Sequence, residues 1–252
     1  FLKRFLLDTP AHAKAILDGM LDEESSAMNK GTALHAALLE PDLFAANYAI
    51  GPEVRRNSSE WKEFVAANPD KECLKPSENA DVLGMRESLW SDPYCAKAIR
   101  ACDCRELTIL WNDDATGILC KARIDLFSTR SGMLLDVKTT GDLSKFQDTQ
   151  FKQGYDIQIC HYCNALTAHG MAAKSAGFLC CEQTAPWLPD IFQPSGEMLA
   201  GGFDLIARAM PCVSQCFETG IWPGYRTDNK ARRLDVPAFR RPTTLDRGIF
   251  NV

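Results

Sequence analysis

The sequence predicts an α/β fold, a mixed central β-sheet flanked by helices. Two observations carry that expectation. From Glu106 to Thr140 apolar and polar residues alternate through ELTILWN, GILCKARIDLF and GMLLDVKTT, with Asp113-Asp114-Ala115-Thr116 and Ser131-Gly132 between the runs. A period of two punctuated by turn residues marks a three-stranded meander. On both sides the apolar spacing lengthens to that of helices, and two more strand-like runs, Ser175 to Cys181 and Trp187 to Phe192, follow.

In chain order, residues 1–20 are helical, with Phe5, Leu6, Ile16, Leu17 and Met20 on an apolar face and a restart at Thr9-Pro10, where proline suits the first helical position. A polar linker, Asp22 to Asn29, leads to a helix from about Thr32 to Leu39 that Pro41 terminates. The stretch from Tyr48 to Trp90 is charged and helical in character. Ser58 or Ser59 can cap EWKEFVAAN, and Pro76-Ser77 can open a helix through Leu89. Ser91-Asp92-Pro93 starts another, to about Cys102. After the meander, FKQGYDIQICHYCNALTAHG reads as one helix, and Pro186 and Pro189 favour an edge position for the strand near 187–192. Glu197 to Met210 is an amphipathic helix from the cap Ser195; Pro211 bends or ends it, and a further helical piece stops at Gly220. No internal repeat and no phosphate-cradling glycine loop is visible.

Composition narrows the function classes. With 46% hydrophobic and 24% charged residues in 252, the chain has the balance of a protein that buries a substantial core. No run approaches the ~18 apolar residues of a membrane span and no signal-peptide pattern opens the sequence, so no membrane partner and a cytoplasmic location are expected. A net charge of −5 argues against coating nucleic acid by charge alone. Basic groups do gather at the C-terminus, at Lys230, Arg232, Arg233, Arg240, Arg241 and Arg247, as a solvated tail or a phosphate-binding strip. The 11 cysteines include only one C-x-x-C, inside an expected helix, so the spacing does not support a zinc or iron–sulfur cluster and favours buried free thiols.

Chemistry concentrates in the meander. With a turn centred between Arg130 and Ser131, Asp125 and Asp136 face each other, and opposed residues hold their Cβ atoms about 4.5–5.5 Å apart on one face. Two carboxylates that close repel unless a cation lies between them. Lys138, two residues past Asp136, shares its face. Pairing across the preceding turn brings Glu106 near Asp125, a third carboxylate whose face depends on the register. Acids and an amine on one spot suit a hard divalent ion with a water-activating lysine, one that positions or deprotonates the attacking water. The competing reading is an exposed ion pair between Asp136 and Lys138, worth about 0–1 kcal/mol. His35, among small and apolar neighbours, reads as a packed core residue unless its helix crosses the hairpin. Phe151, Tyr155, Gln158 and Tyr162 share one helical face, whose amide and phenols suit either packing or hydrogen bonding to a phosphate or lysine.

The ordered set GTALHAALLEPDLF, ELTILW…KARIDLF, LLDVKTT and GYDIQICHYCNAL resembles the RecE-like branch of the PD-(D/E)xK nuclease superfamily, over nearly the whole chain from Thr9-Pro10-Ala11-His12 to Trp222-Pro223-Gly224-Tyr225. The resemblance implies a restriction-endonuclease-like core with its site at one sheet edge, in a single nuclease domain: a mainly helical part over 1–103, a catalytic core over 104–225 and a basic tail over 226–252. It implies metal ligation by His35, Asp125, Asp136 and the Val137 carbonyl, with Glu106 as a further acid, and catalysis by Lys138 supported by Gln158 and Tyr162. The implied cofactor is Mg²⁺, with Mn²⁺ as substitute. The implied reaction is 5′-to-3′ degradation of linear double-stranded DNA to leave 3′ tails, in a ring-shaped homo-oligomer, for a single-strand annealing recombinase. Alternatives that share the site are an endonuclease or single-strand-specific mode, as in Cas4-like relatives, and a non-catalytic DNA-end-binding module.

Overall fold

The structure is a computed structural model describing residues 1–21 and 26–226, with side chains of 26–29 excepted. The basic residues from Lys230 to Arg247 lie outside the described residues. Helices α1 (Leu2–Leu7), α2 (Pro10–Leu17), α3 (Ser26–Leu39) and α4 (Pro41–Asn47) precede strand β1 (Tyr48–Ile50). Then come α5 (Ser59–Ala67), β2 (Glu72–Leu74), α6 (Pro76–Ser91) and α7 (Pro93–Ala101). The meander is β3 (Cys104–Asn112), β4 (Leu119–Phe127) and β5 (Met133–Thr140). It is followed by α8 (Phe146–Lys152), α9 (Tyr155–Ala168), β6 (Ser175–Glu182), β7 (Pro189–Phe192) and α10 (Gly196–Thr219).

Strands β3 to β7 form one mixed sheet in sequence order, with β5 and β6 parallel and the other pairs antiparallel. The parallel step follows from chain length: α8 and α9 carry the chain from the end of β5 back to the start of β6, as a parallel connection requires. Leu126, Leu135, Val137 and Leu179 pack on one side against Leu34 and Leu38 of α3, Met85 and Leu89 of α6 and Ile99 of α7. Ile124, Phe127, Leu134 and Phe178 pack on the other against Ile157 and Leu166 of α9 and Ile206 of α10. Both sides of the sheet are therefore covered over the end of β4, β5 and β6, whereas most of β3 and the start of β4 stay partly exposed, and polar side chains in the covered part must find partners or ligands.

Several local expectations are corrected. α3 begins at Ser26, inside the stretch read as linker. Pro41 ends α3 but also opens α4 from its first turn, since that position needs no N–H. Residues 48–50 and 72–74 form a two-stranded parallel sheet where helix was expected; three-residue strands carry no periodic signal. The single helix expected from 151 to 170 is broken at Gly154, which sits at φ 63, so Phe151 leaves the face of Tyr155, Gln158 and Tyr162. α10 runs unbroken through Pro211. β7 is an edge strand as its prolines predict, but it starts at Pro189; Trp187 lies in the preceding loop at φ 53.

Candidate active site

The site lies not at a sheet edge but between β4 and β5, inside the strand order. Leu126 faces Leu135 and Phe127 faces Leu134, the register expected of the hairpin, in which Asp125 would oppose Asp136. The ladder stops one rung short of that pair. Beyond it the Asp125 carboxylate takes the place of a strand carbonyl, its Oδ2 accepting from the Val137 N–H at 2.6 Å. A buried carboxylate has thus replaced a ladder bond, and the strands separate where the acids meet.

The same rung is disturbed on the β3 side. Cys104 faces Phe127 and Leu107 faces Ile124, so Glu106 falls opposite Asp125 without forming a ladder pair. Glu106 adopts φ 50, a left-handed conformation that costs a non-glycine residue about 1–3 kcal/mol. The inward alternation slips here on both strands: Ile124 and Leu107 lie on the α9 side, whereas Leu126 has moved to the α3 side. A regular ladder would give Glu106 and Asp125 one fixed face each. The slipped rung instead lets both reach His35, which comes from α3.

His35 Nδ1 lies 3.5 Å from Asp125 Oδ1 and 3.8 Å from Glu106 Oε1, while Nε2 lies 3.0 Å from the Val137 carbonyl oxygen. His35, Glu106 and Asp125 each offer a ligand atom, all within 4.8 Å of one another, the one such group among the described residues. Burial disfavours the imidazolium, but the charge and hydrogen bond of Asp125 and the hydrogen bond of Glu106 outweigh it and raise the His35 pKa to about 10. Asp125 is itself held below its ordinary range; burial opposes this, and the charge and hydrogen bond of His35 prevail. Arg123, two residues earlier on β4, places its Nε on Glu106 and its Nη2 2.8 Å from Glu40 beyond the end of α3.

Asp136 is fully buried on the α9 side of the gap. Its Oδ2 sits 2.6 Å from Lys138 Nζ, an ionic contact without the alignment of a hydrogen bond. Its Oδ1 receives the Gln158 amide at 3.4 Å, and the same amide donates to the Tyr162 hydroxyl at 2.7 Å. Burial and the neighbouring Asp125 charge push the Asp136 pKa up to about 6 against the pull of Lys138. Lys138, 11% exposed, is nevertheless held above its usual pKa: burial works against the charge, and Asp136 and Asp125 outweigh it. The Tyr155 ring lies 4.7 Å from the same ammonium.

The structure therefore brings the predicted residues to one place from two sides. His35, Glu106 and Asp125 meet from the α3 side, and Asp136, Lys138, Gln158 and Tyr162 from the α9 side, with the Val137 backbone between them. They do not share one face of a regular hairpin, and Asp136 stands outside the three-residue group. Sequence reasoning missed Arg123, Lys3 and Gln183. Lys3 donates to Gln158 Oε1 at 3.1 Å, and Gln183 donates to Thr139 Oγ1 at 2.8 Å from the loop after β6. Their long sequence separations leave no local pattern. Of these residues, His35, Val137, Lys138, Gln158, Lys3 and Gln183 line a cleft of about 1000 Å³ between α1, α3, the end of β5, α8 and the start of α9, while Asp125 and Asp136 are buried.

The donor set fits a hard divalent ion. Carboxylates, one imidazole and a main-chain carbonyl are oxygen-rich ligands, and Asp136 Oδ2 is a buried acceptor with no aligned donor. His35 presents Nε2 to the Val137 carbonyl oxygen at 3.0 Å and Nδ1 to the two acids, so an ion here would be held by the imidazole only after it loses a proton. Cys180, beside Lys138 on β6, has its thiol pKa pushed up by burial and offers no thiolate.

A mixed sheet flanked by helices, with Asp-x-Lys on a central strand and a second acid on its antiparallel neighbour, defines a PD-(D/E)xK-type protein. A family model described as a PDDEXK-like domain of unknown function (DUF3799) matches residues 1–232, and the chain belongs to that family. A solved structure named as a candidate exonuclease, from Eubacterium rectale, is similar with a TM-score of 0.63 and 13% identity, over 94% of this chain and 89% of that one. A phage-related exonuclease from Haemophilus somnus 129PT matches with a TM-score of 0.34 and 11% identity, over 68% of this chain and 91% of that one. No curated protein matches the sequence.

Proposed function

We propose that this protein is a metal-dependent DNA exonuclease that hydrolyses phosphodiester bonds of linear double-stranded DNA, 5′ to 3′, using Mg²⁺ or Mn²⁺. The observation that carries the reading is the buried Asp136–Lys138 contact at 2.6 Å beside the His35, Glu106 and Asp125 cluster. An exposed ion pair contributes little and needs no such surroundings, whereas a buried network of mutually paired charges is costly to keep and is concentrated at functional sites.

His35, Asp125, Asp136 and the Val137 carbonyl would hold the ion, with Glu106 at its margin. A divalent ion so bound polarises a phosphate and acidifies a water. Lys138 is kept as an ammonium by two acids, so it acts as a donor that orients the attacking water or steadies charge growing on the phosphate. Gln158 holds Asp136 in place, and Tyr162, by accepting from the same amide, fixes which way that amide faces. Burial of Asp125 and Asp136 keeps bulk water from these two acids.

The polarity, the 3′ tails passed to a single-strand annealing recombinase and a ring-shaped homo-oligomer complete the proposal; the likeness to a candidate exonuclease supports the exonuclease mode. The test is a linear duplex labelled at either end, incubated with Mg²⁺ and wild-type or Lys138→Ala protein. Early release of the 5′ label by the wild type alone is expected. Release of the 3′ label first overturns the polarity, and cutting of closed circles identifies an endonuclease. Binding without cleavage identifies an end-binding module, and equal activity in the alanine variant removes the mechanism.

A further inference from the structure

We propose that Lys3, on the first helix of the chain, is a second lysine of this site and binds a phosphate of the substrate strand next to the one being cleaved. The proposal rests on the reading that the cleft holds DNA, and deepens it by adding a residue that no sequence motif marks.

Three separate features place Lys3 there. The first is backbone geometry at Gly154, between α8 and α9. It adopts φ 63, and a Cβ there would meet Leu7 Cδ1 at 3.1 Å and Lys3 Cγ at 3.3 Å. A side chain there would crowd Leu7 and Lys3, so the glycine eases the approach of α1 to the start of α9. The second is polar contact: Lys3 Nζ donates to Gln158 Oε1 at 3.1 Å, while the amide nitrogen of the same Gln158 faces Asp136. Lys3 is thus one side chain removed from the acid that Lys138 touches. The third is the Tyr155 ring, which has Lys138 Nζ 4.7 Å and Lys3 Nζ 5.5 Å from its centroid. Both ammonium groups line this cleft with Arg4, Lys145 and Lys152, of which Arg4 is paired with Asp8 at 3.0 Å and Lys145 with Asp142 at 2.8 Å.

Two lysines gathered at one aromatic ring repel each other, and an arrangement of that kind is favourable when an anion lies between or beside them. The roles separate by surroundings. Lys138 is buried against two acids and is committed to the reacting phosphate. Lys3 reaches across the cleft from another helix, with the amide and the ring among its contacts, and is placed for a neighbouring phosphate. In an acidic protein such contacts must be supplied locally, one cation at a time.

The test is binding of a fluorescein-labelled linear duplex by anisotropy, with Ca²⁺ replacing Mg²⁺, over a range of salt concentrations. Lys3→Gln keeps the methylene stem that packs near Gly154 and removes the charge; Lys3→Arg keeps the charge. The glutamine variant should bind about fivefold more weakly, and its slope of log affinity against log salt should be shallower by about 0.9, the signature of one lost phosphate contact. The arginine variant should restore most of both. An unchanged slope in the glutamine variant overturns the proposal, even if affinity falls, because that describes a structural role. Wild-type binding without cleavage in Mg²⁺ or Mn²⁺ would instead remove the nuclease reading and leave the Lys3 result standing. No DNA binding by the wild type removes both.

Discussion

Binding of a divalent ion should expel a proton from His35. In the metal-free protein the imidazole faces Asp125 at 3.5 Å and Glu106 at 3.8 Å, and its pKa is raised to about 10. A histidine ligates metal only when neutral at the ligating nitrogen, so at neutral pH the ion must displace that proton. At pH ~7.5 the gap is about 2.5 units, which at about 1.36 kcal/mol per unit weakens apparent metal affinity by roughly 3 kcal/mol, about 300-fold. Affinity for Mn²⁺ should therefore rise about tenfold per pH unit between ~7 and ~9. Calorimetric titration with Mn²⁺ in two buffers of different ionisation enthalpy gives the proton count directly: close to one released per ion for wild type, and none for His35→Gln. A count near zero in the wild type, or an equal count in the variant, would refute the assignment of His35 as an imidazolium that becomes a ligand. The sign for stability follows from the same shift. A histidine with a raised folded pKa stabilises the metal-free fold fully below about 6.5 and loses that contribution as pH climbs through about 10. Denaturant midpoints in EDTA should accordingly fall across that window, and less so in His35→Gln.

Asp136 supplies an acid limb: with its pKa pushed up to about 6, metal binding and cleavage should decline below that pH as the carboxyl protonates, measurable as kcat/KM against pH. Because the shift is upward, ionising Asp136 destabilises the metal-free fold, so saturating Mn²⁺ should raise the denaturation midpoint more at pH ~7.5 than at pH ~5. Lys138→Met should lower single-turnover cleavage about 10²- to 10⁴-fold while leaving a measurable Mn²⁺ affinity, and a change of less than threefold would remove the lysine from the chemistry. Tyr162→Phe deletes the acceptor for the Gln158 amide at 2.7 Å and should cost about 1 kcal/mol in urea denaturation, with a smaller loss of rate than Lys138→Met. Gly202→Ala would set a Cβ 2.7 Å from both the Asp156 carbonyl and Cys160 Sγ, where α10 crosses α9, and should cost about 1–3 kcal/mol or more. A midpoint equal to wild type would mean that the two helices can separate freely.

What could be read from the sequence and what could not divides along physical lines. The meander was legible because each strand is long enough to show its period, and its two turns set registers that the ladders keep on both sides of β4. That is why Asp125, Asp136, Lys138 and Glu106 could be placed near one another. The way they meet was not legible. Period-two reasoning assumes an unbroken ladder, whereas the acids meet where the ladder fails: Asp125 spends its carboxylate on the Val137 N–H, and Glu106 turns to φ 50. No propensity scale signals a left-handed glutamate, and its side-chain partners, His35 on α3 and Arg123 on β4, are distant in sequence. His35 shows the same limit from the helix side. Its neighbours in sequence, Ala33, Leu34, Ala37 and Leu38, are buried core, which is why a packed histidine was the simple reading. Only tertiary contact distinguishes a core histidine from one that faces two acids. Lys3 is a still more distant case, joined to Gln158 across 155 positions where α1 passes close to Gly154. Backbone pattern locates the chemistry on the strands, and the departures from that pattern, at Glu106, Asp125 and Gly154, are what bring helices from elsewhere in the chain into contact with it.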